Sequence, residues 1–175
     1  MKRISIAILC VAASFAVSAE EFEQHAAHEH GKVTINVAVE KDQLILELEA
    51  PAMNVVGFEH APRTTDQQAA VKDARALLGS GRNLFGVPVS ARCKLSNVDF
   101  TTPNWESDEE HSNYAARYTY SCVAPTLLAW FEPWVIEHLR NVSEARINIS
   151  SNWGQRSEAA SRGRSRISLQ KRPND

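Results

Sequence analysis

Three of the chain's six histidines fall within six residues, His25-Ala26-Ala27-His28-Glu29-His30, followed by Gly31. Neutral imidazole is the commonest protein ligand for zinc and its first-row neighbours. A His-x-His pair in an extended chain puts both rings on one side, because side chains alternate faces with period two. The two backbones are then roughly 6–7 Å apart, a gap that two imidazoles close onto a single ion. His25 adds a third nitrogen if the segment turns. Two further places carry ligand atoms: Glu59-His60, and the run Asp108-Glu109-Glu110-His111. Zinc accepts imidazole nitrogen and carboxylate oxygen at about 2.0–2.2 Å, usually in fours, so these groups must be gathered by the fold. The plain alternatives are a solvated tail, a surface turn between Phe58 and Pro62, and a solvated acidic loop.

Catalytic patterns are thin. There is no His-Glu-x-x-His, no Gly-x-Ser-x-Gly and no glycine-rich phosphate loop. A zinc hydrolase would need a water-activating carboxylate, a part for which Glu29 or Glu59 is available, but nothing in the spacing demands it. We therefore expect no enzymatic activity. His138 lies in a mostly apolar run with Trp134, Val135, Ile136 and Leu139 and reads as structural.

Residues 1–19 read as a secretory signal peptide: Lys2-Arg3, then an apolar run from Ile4 to Val17, then Val17-Ser18-Ala19 as a cleavage site. Cys10 would leave with it. The expected domain is then residues 20–175, 156 residues, a length suited to one core. Loss of two basic residues and no acidic one takes the formal net charge from −2 to −4. That argues against nucleic acid and mildly favours cations. No later stretch reaches the ~20 apolar residues of a membrane span, so no membrane insertion is expected. Cys93 and Cys122, the two remaining cysteines in a chain sent to an oxidising compartment, read as a disulfide. Two free thiolates binding metal are the alternative.

Positioning these groups falls to a sheet. Val33, Ile35, Val37 and Val39 alternate, as do Leu44, Leu46 and Leu48, which predicts a hairpin buried on one side. The histidine cluster leads into its first strand through Gly31. Residues 51–62 form an apolar connection bounded by prolines. Thr65 with Gln68 fits a capping box and Gly79 a helix stop, so one amphipathic helix is predicted over 66–78. Alternation at Val87–Leu95 and at Tyr114–Cys122 predicts an antiparallel pair, its far ends tied by the disulfide and its near ends joined by a long polar loop, 96–113. Pro125–Phe131 reads as a short second helix, 145–149 and 167–169 as strands, and 152–165 as polar connection. The fold class expected is α+β, with a largely antiparallel sheet.

His28-Glu29-His30-Gly31, the hairpin after it, and Glu49-Ala50-Pro51-Ala52-Met53-Asn54-Val55-Val56-Gly57-Phe58-Glu59-His60 resemble the bacterial periplasmic zinc-binding proteins of the ZrgA-like family. The likeness continues through helix, strand with one Cys, acidic loop and strand with the second Cys, and its most specific part is Asn54 to His60. It implies zinc binding in the periplasm in support of a zinc-uptake transporter, without catalysis. The middle loop departs from the family pattern, which is often a dense run of His and Asp; here it holds only His111 beside Asp108, Glu109 and Glu110.

The function expected is thus a periplasmic protein that buffers or delivers zinc for an importer. Its ligands would come from His25, His28, His30 and His60, with Glu59, Glu109 and His111 as a second or bridging set, and other first-row divalent metals are admissible. The alternative is a disulfide-stapled envelope protein with a structural or protein-interaction role and no physiological metal.

Overall fold

A computed structural model describes residues 29–105, 112–152, 154–163 and 166–170. The expected leader and the candidate ligands His25, His28, Glu109 and His111 lie outside the described residues. Strand alternation builds the sheet as expected. In β1 (Lys32–Glu40) Val33, Ile35 and Val37 are buried, and in β2 (Gln43–Pro51) Leu44, Leu46, Leu48 and Ala50 join them. The antiparallel register sets Ile35 opposite Leu48 and Val37 opposite Leu46. Short helix α1 (Ala52–Val56) follows at once, then α2 (Thr65–Ser80). Next come β3 (Cys93–Thr101) and β4 (Asn113–Cys122), a two-residue β5 (Trp130–Phe131), one-turn α3 (Val135–His138), β6 (Glu144–Ser151), β7 (Gly154–Ser161) and β8 (Ile167–Ser168).

Six strands form one sheet in the order β3-β4-β2-β1-β6-β7; β5 and β8 pair separately. Every pairing is antiparallel except β1 with β6, which run parallel at the centre. One face carries the core: Tyr114 and Tyr118 from β4, Ile147 and Ile149 from β6, and the hairpin aliphatics. Val71, Ala74 and Leu78 of α2 belong to the same buried set, with Phe131, Val135 and Ile136. Tyr118 Oη donates to Leu78 O at 2.9 Å, pinning the end of α2 to the sheet. The other face is polar, laced by Arg117–Glu47 at 2.7 Å and by Asn148 Nδ2 donating to Asn36 Oδ1 at 2.9 Å. No helix among the described residues is long and apolar enough to cross a membrane.

Several boundaries differ from the sequence reading, each for a local reason. The capping box sits one residue earlier than expected. Thr64 Oγ1 accepts from Gln67 N while Gln67 Oε1 accepts from Thr64 N, the same Thr-x-x-Gln spacing displaced along a Thr-Thr pair. Gly79 stays inside α2, and the stop is Gly81, at φ 62°. The strand expected from Val87 begins only at Cys93, because Val89–Ala91 forms a 3-10 turn after Pro88 and Arg92 adopts φ 51°. It then runs on to Thr101, through residues assigned to a loop. Pro125–Leu127 is a 3-10 turn, and Trp130–Phe131 is a strand rather than helix, since Phe131 pairs with Ile167. Finally, β7 was missed. As an edge strand of sequence Gly-Gln-Arg-Ser-Glu-Ala-Ala-Ser it buries only Ala160, so it carries no apolar alternation.

All the strand ends next to Lys32, Pro51, Thr101, Asn113 and Glu144 lie at one end of the sheet. The opposite end carries the Cys93–Cys122 disulfide, set between directly paired residues, with Cys122 N donating to Asp42 O in the β1–β2 turn at 2.8 Å. The 29-residue separation of the cysteines gives a stabilisation of about 3–4 kcal/mol by chain-entropy reasoning. Replacing both cysteines by alanine should lower the unfolding free energy by about that amount in urea titration. Peptide mass spectrometry should find neither residue alkylated without prior reduction.

Candidate metal centre

The chain enters β1 through a β-turn, Glu29-His30-Gly31-Lys32, closed by Lys32 N donating to Glu29 O at 3.2 Å. Gly31, third in the turn, has φ 80°, a value that suits glycine at that position. His30 is therefore in a turn and exposed, not in an extended strand, so the same-side argument for His28 and His30 does not reach it. The turn is held from two directions. Gly31 O accepts from Ser143 N at 2.8 Å and Glu144 N at 3.1 Å, at the start of β6. On the other side stands Asn54, in the middle of α1 and 1% exposed. Its Oδ1 accepts from Gly31 N at 2.9 Å, and its Nδ2 donates to Glu29 O at 3.1 Å and Lys32 O at 2.6 Å.

Helix α1 ends at Gly57, φ 89°, whose N–H donates to Met53 O at 3.0 Å. Asn141 Nδ2 donates to the same carbonyl at 3.1 Å. The chain then turns into Phe58, buried, Glu59, half-buried, and His60, exposed. The His60 ring stacks on Phe58 with centroids 5.2 Å apart. His60 Nδ1 lies 2.9 Å from Ala61 O. A carbonyl only accepts, so in the neutral ring Nδ1 carries the proton and Nε2 keeps its lone pair for a metal. Phe58 also meets Trp105, centroids 6.0 Å apart, and Ala52 N donates to Ser112 O at 2.8 Å. Trp105 and Ser112, the described residues on either side of 106–111, thus meet the extension and the start of α1.

Thus His30, Glu59 and His60 are carried by segments at the same end of the sheet, and Trp105 and Ser112 lie there too. Among the described residues, no group of three or more His, Cys, Asp or Glu side chains is gathered closely enough to hold an ion. Cys93 and Cys122 are committed to their disulfide, which removes the thiolate alternative. Glu29 hydrogen-bonds and ion-pairs with Lys32, which holds its carboxyl below the ordinary carboxylate range. Lys32 is raised in turn by Glu29 and, less strongly, by Glu144. The ion pair occupies Glu29 and weakens its casting as a water-activating base. His138 donates from Nε2 to Asn83 O at 3.0 Å, a structural bond as expected.

Two contributors carried no role in the sequence reading. Asn54 had a signal: a lone amide inside Ala52-Met53-Asn54-Val55-Val56 is a polar group headed for burial, and buried polar groups need partners. Trp105 had none, since its packing partner Phe58 is remote in sequence. The geometry at Gly31 predicts its own test. A Cβ there would lie 3.1 Å from Ser143 Oγ, on a backbone with positive φ. Gly31→Ala should cost about 1–2 kcal/mol of stability in urea unfolding; an unchanged midpoint would mean that the turn is dispensable.

No curated protein matches the chain. Residues 27–169 match the family described as ZrgA family zinc uptake protein, a span that takes in His28, the β1 turn, α1 and its His60 extension, both cysteines and the acidic segment, and that begins after His25. The chain belongs to the ZrgA family of zinc uptake proteins.

Proposed function

We propose that this protein binds zinc in the periplasm, by a single moderate-affinity site, and buffers or delivers it to a zinc importer or to the importer's own binding protein, with no catalysis. His28, His30 and His60 are the principal ligands, with His25, Glu59, Glu109 and His111 as further donors. The observation that carries this reading is the Asn54 clamp. Two histidine-bearing segments thirty positions apart in sequence, the β1 turn and the extension of α1, are tied together by one buried amide. The family's description as zinc uptake proteins supplies the ion. Zinc suits the donor set, since imidazole nitrogens and carboxylate oxygens are what it takes. The free lone pair on His60 Nε2 suits it also.

The test is calorimetric titration of tag-free, metal-stripped protein with zinc at neutral pH. The unmodified protein should bind, and His28→Ala/His30→Ala should weaken binding by at least about tenfold, or 1.4 kcal/mol, with the apo circular dichroism unchanged. His138→Ala should leave affinity alone. Because the acidic segment holds one histidine, exchanging 106–111 for a Gly/Ser linker of equal length should leave the zinc stoichiometry unaltered; loss of most bound zinc would move the site into that segment. A folded protein that binds no zinc would leave the interaction-protein alternative standing.

A further inference from the structure

We infer that Asn54 is the positioning residue of the metal site, holding His30 in the orientation, and against the helix leading to His60, that a zinc ion requires. This rests on the zinc reading above and adds a residue that supplies no ligand atom. The side chain is 1% exposed, and its carboxamide makes three hydrogen bonds to main chain on both sides of His30: Glu29 O before it, Gly31 N and Lys32 O after it. The orientation of the amide is forced by its partners. Gly31 N–H can only donate, so Oδ1 must face it; the two carbonyls only accept, so Nδ2 must face them. His30 is the one residue of the turn whose backbone the amide does not touch, so its ring is free to meet an ion while its Cα is fixed.

The same side chain stands on α1, which ends at Gly57 and runs directly into Phe58, Glu59 and His60. Fixing the turn to α1 therefore fixes the separation of the two histidine-bearing segments before any ion arrives. Ligands placed in advance lose less freedom on binding, which is how residues behind a metal ligand raise affinity. The other clamp on the turn comes from β6: Ser143 and Glu144 donate to Gly31 O, and Lys32 pairs with Glu144 where β1 begins. Without Asn54 the turn would keep its ties to β6 and lose its hydrogen bonds to α1.

The experiment is zinc calorimetry on Asn54→Ala and on Asn54→Asp, each in the otherwise unmodified protein and in a His30→Ala background. Asp keeps the side chain's size but turns a carboxylate oxygen toward Glu29 O and Lys32 O, so it cannot make the clamp. Both variants should weaken zinc binding by about 10–100-fold in the unmodified protein, and by less than about twofold once His30 is gone. Leu78→Ala, a core truncation on α2, serves as the control for general destabilisation and should leave affinity within about twofold. Folded Asn54 variants with unaltered affinity would overturn the inference, as would an equal loss in the His30→Ala background. So would failure of both variants to fold, which would make Asn54 a residue of the fold first. Absence of zinc binding by the unmodified protein would overturn the zinc reading and this inference together, whereas binding indifferent to Asn54 would overturn this inference alone.

Discussion

A carboxamide taken out of water costs about 1–3 kcal/mol for each polar group left without a partner. Asn54 can be buried only if Glu29, Gly31 and Lys32 come to meet it, and they do so only when β1 is paired and α1 has formed. The turn in front of β1, the helix behind β2 and the start of β6 are thereby interdependent: Asn54 joins the first two, and Gly31 O joins the first and third through Ser143 and Glu144. β1 is one of the two central strands of the sheet, flanked by β2 and β6, so the constraint acts at the middle of the architecture and not at its rim.

That arrangement explains the division of labour between the two ends of the sheet. The end near Cys93 and Cys122 is closed covalently and by a hydrogen bond to the hairpin turn. The end near Lys32 is closed by side-chain amides, a glycine at positive φ and an aromatic pair, Phe58 with Trp105. The first set resists spreading of the strands whatever is bound. The second set consists of directional contacts around exposed imidazoles, and those can respond to a ligand.

Much of the architecture was legible because it rests on alternation. Val33 to Val37, Leu44 to Leu48 and Tyr114 to Cys122 each place apolar residues two apart, and the sheet buries those residues. Where the period failed, so did the reading. β7 covers an ion pair, Arg156 with Glu158, buries only Ala160 among its apolar residues, and has no apolar rhythm to find. The residues from Val87 to Ala91 show a rhythm that Pro88 and the αL backbone at Arg92 cancel. The candidate site offers residue types to a sequence reading and no geometry. His30 and His60 declare their chemistry by identity, but the turn at Gly31 depends on partners 23 and 112 positions away, which no local pattern encodes.

Those long separations bear on when the site comes into being. The chain reaches Ser143 only after β1, β2, α2 and β4 have been laid down, and contacts that close such large loops are entropically late. A chain ending short of Ser143 would carry every histidine proposed as a ligand and still lack the parallel strand whose amides donate to Gly31 O. Seating His30 is thus a property of the finished fold, and a half-assembled molecule would meet zinc without that seat.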